Sequence, residues 1–199
     1  MANDLKAQDY PIAQKLDVGT NAVEDRVVMI AGTKGQGRRC VLLTRRMMKS
    51  LLAKYVGVLE QTSQRASKAA RRHKSEVLQM EHIAAVSQEI DQEGRSADAS
   101  GHEQDRQPVD RPDTIYLAVR VHFEPRDGHI LLAFDGVKRN PFGPDGEMKE
   151  PALGFAMDRT SAHKVLAMLH DKADEAGWDL KKPSGWTAKL QQARSDSLN

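Results

Sequence analysis

The sequence predicts an α+β fold of two diverged strand-hairpin-plus-helix units. An antiparallel sheet is backed by helices, and a helix and a disordered linker join the units. Three observations lead there. Short β-prone runs come in pairs around turn residues, each group of strands is followed by a polar cap and an amphipathic stripe, and between the groups the chain loses its apolar residues.

Residues 1–24 are polar and without sustained periodicity, and read as a flexible leader. The first sheet-helix unit, 25–62, opens with the β-prone run Val27–Ala31. Gly32-Thr33-Lys34-Gly35-Gln36-Gly37 then supplies turn chemistry, because glycine adopts positive φ without steric cost. Cys40–Leu43 returns as the second strand of a hairpin. Thr44 is placed as an N-cap, and Met48, Leu51, Leu52, Tyr55 and Leu59 recur at helical spacing behind it. Residues 63–90 read as a basic amphipathic helix, with a thinner stripe of Val77, Leu78, Ile83, Ala84 and Ile90 that needs a partner surface. Across 91–112 only Val109 is strongly apolar, the composition of a disordered linker.

The second sheet-helix unit, 113–180, begins with Ile115–Phe123, turns at Glu124–Gly128 and returns through Ile130–Phe134. The glycines and prolines of 135–151 mark a loop, Leu153–Met157 a third strand, and Asp158 the cap of a helix ending near Gly177. Residues 181–199 are a polar tail whose one anchor is Trp186. With Thr44 and Asp158 taken as equivalent caps, the apolar positions of the two helices coincide, as in an internal repeat; 3.6-residue periodicity alone imposes much of that match. Each half alone is short of buried area, so two halves, or two chains in a homodimer, must pair to complete a core.

Composition narrows the function. Hydrophobic residues make up 39% of the 199, mean hydropathy is −0.60, and no apolar run approaches the roughly 20 residues of a membrane span. No apolar stretch follows Met1–Lys6, so a secretory signal is not expected, and the single Cys40 excludes an internal disulfide and a multi-cysteine zinc cage. The expected setting is the cytoplasm of a bacterial-style cell, away from membranes.

The net charge of +2 hides a strong asymmetry. Between residues 34 and 74 there are twelve Lys and Arg opposed only by Glu60, giving +11, whereas 75–112 sum to −6. Such a segment creates a local positive potential, and polyanions are its commonest partners through counterion release. The candidate nucleic-acid-binding residues are Lys34, Arg38, Arg39, Arg45, Arg46, Arg65, Lys68, Arg71, Arg72 and Lys74. Arg65, Lys68 and Arg72 lie at i, i+3 and i+7, so a continuous helix would align them along phosphates. Tyr55, the only aromatic in the segment, falls on the apolar stripe, which argues against recognition by base stacking.

Other chemistry is thin. The glycine loop at 32–37 has a Lys between its glycines, no following Ser or Thr in place, and a strand behind it, so it reads as a hairpin tip rather than a nucleotide cradle. The seven histidines form no short-spaced metal motif, and His163 and His170 stand about 10 Å apart along one helix. No nucleophile accompanies His122-Phe123-Glu124 or His170-Asp171. The expectation is therefore a non-enzymatic accessory or regulatory protein that contacts DNA or RNA phosphates, without cofactor or metal. The alternative is an interaction module, adaptor or inhibitor, docking its basic helix on an acidic protein.

Overall fold

A computed structural model describes residues 10–96, 111–126, 128–140, 144 and 148–181. The chain forms β1 (Ala13–Asn21), β2 (Arg26–Thr33), β3 (Gly37–Leu43), α1 (Arg45–Thr62), α2 (Gln64–Lys68) and α3 (Lys74–Ser96). It continues through β4 (Thr114–Arg126), β5 (His129–Arg139), β6 (Lys149–Asp158) and α4 (Arg159–Glu175). The fold is mixed α+β, with one six-stranded sheet in the order β1-β2-β3-β4-β5-β6. Neighbours pair antiparallel except β3 and β4, which run parallel from Arg39–Leu42 against Thr114–Leu117. A parallel pair needs a long crossover, and here α1 to α3 provide it. Among the described residues no helix is long and apolar enough to cross a membrane.

The sheet curls until its ends meet. Ile12, just ahead of β1, bridges Gly154 of β6 in parallel, and the Gly154 N–H donates to the Pro11 carbonyl at 2.9 Å. A β-carbon at Gly154 would sit 3.0 Å from the Tyr10 side chain, so this approach depends on glycine. Alternation along the strands sends Val27, Met29, Val41, Leu43, Leu132 and Phe134 to one face, where α1 and α4 cover them in a single core. Met48, Leu51, Leu52, Tyr55 and Leu59 are all buried, as the helical stripe requires.

Several expected boundaries move. The leader is not structureless: β1 occupies Ala13–Asn21, with Leu16 and Val18 packed on the core while Lys15 and Asp17 stay exposed. Its polar outer positions and a bulge between Ala13 and Lys15 dilute the alternation. The loop at 135–151 is shorter than expected, because β5 runs to Arg139 and β6 begins at Lys149. The region 63–90 is not one helix, and α3 extends through Ser96 into the expected linker. The rest of that linker from 97 to 110, residues 1–9 of the leader, and 182–199 of the tail with Trp186 lie outside the described residues. The two halves do not form separate sheets, since the β3–β4 pairing makes them one.

Candidate nucleic-acid interface

The longest stretch of exposed cations is set by α1. The Thr44 hydroxyl accepts the Met47 N–H at 3.1 Å and fixes where the helix starts. With Met48, Leu51, Leu52, Tyr55 and Leu59 turned inward, helical geometry leaves Arg45, Arg46, Lys49 and Lys54 on the outer half, all exposed. Glu60 is the only carboxylate on that helix.

The chain then breaks. Ser63 is extended, ends α1, and caps α2 by accepting the Ala66 N–H on its hydroxyl at 2.9 Å. Helix α2 stops at Lys68 because Ala69 and Ala70 are extended, and Arg71–His73 form a separate 3-10 turn before α3. The expected single helical face carrying Arg65, Lys68 and Arg72 is therefore absent. Arg65 and Lys68 project from α2, Arg71 and Arg72 from the turn, all four exposed, with Lys74 half-buried at the start of α3. They form a group at the far end of α1 from Arg45 and Arg46, about 27 Å away along 18 residues.

A third group lies at the opposite end of β3 from Arg45. Gly35 and Gly37, at φ 74° and 70°, shape the β2–β3 turn that exposes Lys34. Arg38 sits 3.8 Å from Asp17, and its backbone N–H donates to Asp113. Arg39 is engaged internally: its guanidinium donates to Tyr116, Gln36 and the Pro151 and Ala152 carbonyls, and lies 5.5 Å from the Tyr116 ring centroid. It ties β3 to β4 and β6. By contrast, Lys34, Arg45, Arg46, Lys49, Lys54, Arg65, Lys68 and Arg71 make no ion pair among the described residues.

One polar cluster escapes the sequence reading. Asp135, only 2% exposed, accepts the Tyr10 hydroxyl at 2.6 Å and pairs with His122 Nε2 at 2.8 Å, while Arg120 Nε stands 4.0 Å off. His122 lies beside β5, opposite Ala133, which brings its ring to Asp135. The cluster fastens the segment before β1 to the outer face of β5, where Tyr10 packs on Leu131 and Ala133. Tyr10→Phe is expected to cost about 1–3 kcal/mol, because it strips a buried carboxylate of a donor; urea unfolding measures it.

Cys40 is buried in β3, and burial first, then the charge of Glu24, pushes its thiol up to about 11, which makes it a poor nucleophile near neutrality. Among the described residues no group of three or more His, Cys, Asp or Glu is arranged to hold a metal. No family model, curated protein or solved structure matches this chain.

Proposed function

We propose that the protein binds nucleic acid through phosphate contacts from α1, α2 and the following turn, as an accessory factor rather than a catalyst. The observation that carries this reading is the series of exposed cations from Arg45 to Arg71 that make no ion pair among the described residues. Cations not neutralised at home keep their counterions to release on binding. Arg65, Lys68, Arg71, Arg72 and Lys74 form the densest group, on α2, the turn and the start of α3; Arg45, Arg46 and Lys49 form a second contact zone at the start of α1. Lys34 and Arg38 are peripheral to both.

Replacing Arg65, Arg71 and Arg72 together by Ala is expected to weaken binding to DNA or RNA of any sequence alike. The slope of log affinity against log salt should shrink by about 2–3, since each lost contact to duplex is worth about 0.9. A polarisation titration at several salt concentrations measures both. Wild-type affinity and slope in the triple variant would discard the assignment. Retention of a protein companion after nuclease treatment, with no nucleic-acid affinity, would transfer the surface to an acidic partner protein.

The same reading includes a duplicated ancestry for the two halves. Its support is the recurring plan of three strands, a capped helix, and a bulge in the first strand of each half, between Ala13 and Lys15 and between Ala118 and Arg120. Beyond each bulge the registers correspond, Leu16 opposite Ala31 as Val121 is opposite Phe134.

A further inference from the structure

We infer that the groove between α1 and the chain leaving α4 is a binding site for a small amphiphilic anion, an aliphatic or aromatic body bearing one carboxylate or phosphate. The groove encloses about 750 Å³, within the range of small-molecule sites. One wall is a stripe of α1 in which Leu52, Ala53 and Val56 follow Arg45 and Lys49 at helical spacing. The opposite wall is Leu180, with the buried His170 of α4 between.

That second wall is built, not frayed. Helix α4 ends at Glu175, Gly177 turns the chain at φ 68°, and Asp179 adopts φ 42°, an uncommon conformation for a residue with a side chain. Between them Trp178 is buried at 2% exposure, and its indole N–H donates to Asp25. The anchored indole holds the turn in place, so Leu180 and Lys181 face α1.

The polarity of the rim selects the ligand. Arg45, Lys49 and Lys181 stand at the mouth, exposed and without ion pairs, and Asp179 is the one carboxylate lining the groove, both among the described residues. Apolar walls favour a body that sheds water, and cations beside a low-dielectric wall favour one negative head group. A bare polyanion uses the rim but leaves the walls wet. This inference therefore stands apart from the nucleic-acid reading.

The test titrates decanoate into the full chain at pH 7, followed by methyl NMR and by displacement of anilinonaphthalene sulfonate. Shifts are expected at the Leu52, Val56 and Leu180 methyls, with decanol at least about tenfold weaker than decanoate. Ala53→Trp, at an exposed helical position, should fill the groove and abolish binding. Arg45→Glu with Lys49→Glu should weaken it about tenfold or more, equivalent to about 1.4 kcal/mol, with unchanged far-UV circular dichroism. Scattered shifts, equal affinity for decanol, or wild-type binding by both variants would overturn the assignment.

Discussion

Acidification from pH 6.5 to 4.5 is expected to remove several kcal/mol of stability, and the loss should begin at the contact between α3 and α4. His82 of α3 and His163 of α4 are 2% and 1% exposed, with ring centroids 5.5 Å apart. Burial first, then the neighbouring His170, holds His82 down to about 4; burial first, then His82 and Arg159, holds His163 down to about 3. Both rings are neutral in the folded protein. Below the unfolded value of about 6.5 the unfolded chain binds more protons than the folded one. Stability therefore falls with pH, by up to about 1.4 kcal/mol per histidine per unit, until the folded values are reached.

The facing groups do not rescue the charge. Glu81 Oε2 lies 3.9 Å from His163 Nε2, but that carboxylate already pairs with Arg159 at 2.5 Å, and His170 adds repulsion to His82. The carboxylates act in a different window. Backbone and side-chain hydrogen bonds from Ser161 depress Asp158, and bonds from Lys172 and Thr20 depress Glu175, so their contributions disappear only below the ordinary carboxylate range. Urea unfolding at pH 7, 5.5 and 4.5 measures the slope, and His163→Leu should reduce it by about half. A wild-type stability flat across this interval, or an unchanged slope in the variant, would refute the account.

These histidines show where the sequence stops being legible. The five-residue stripe of α1 was readable because consecutive turns place Met48, Leu52, Tyr55 and Leu59 on one side of an 18-residue helix. His163 and His170 also lie on the buried side of α4, yet a histidine at a core position carries no sign in sequence of whether it faces core or water. The same limit hid Asp135, which read as a loop carboxylate until the extension of β5 through Arg139 paired it with the bulge before Arg120. Long-range pairing decides such positions, and local periodicity does not report it. The cations were legible in type and number; their grouping was not, because two alanines, good helix formers, adopt extended conformations at 69 and 70. Arg39 shows the same limit: its charge is legible, but not that one guanidinium nitrogen donates to Tyr116 and to the Pro151 and Ala152 carbonyls.

Arg159→Ala is expected to cost about 3–5 kcal/mol, the range for breaking a largely buried ion pair. Arg159 is the first residue of α4, and its guanidinium binds three residues at once, two at the end of α1 and one on α3. It donates to Glu81 of α3 through Nε and a terminal nitrogen, to the Thr62 hydroxyl at 2.7 Å and to the Leu59 carbonyl at 2.7 Å. Glu81 also accepts the Ser63 hydroxyl at 2.9 Å, so the cluster ties the end of α1, the break at Ser63, α3 and α4 together. With Arg159 gone, a carboxylate 13% exposed is left with the Ser63 hydroxyl and a neutral, buried His163. Arg159→Lys should lie between wild type and Ala, since an ammonium cannot reproduce the planar fork. The double change Arg159→Met with Glu81→Leu should cost less than Arg159→Ala alone, because the desolvation penalty disappears with both charges. A double-mutant cycle by urea unfolding distinguishes these outcomes, and a cost below about 1 kcal/mol for Arg159→Ala would mean the pair behaves as a surface bridge. The clamp also sets where α2 and the 3-10 turn leave the core, so on the proposed nucleic-acid reading a folded Arg159→Lys protein should show a smaller salt slope of binding. An unchanged slope would place Arg65, Lys68, Arg71 and Arg72 under the control of their own local caps instead.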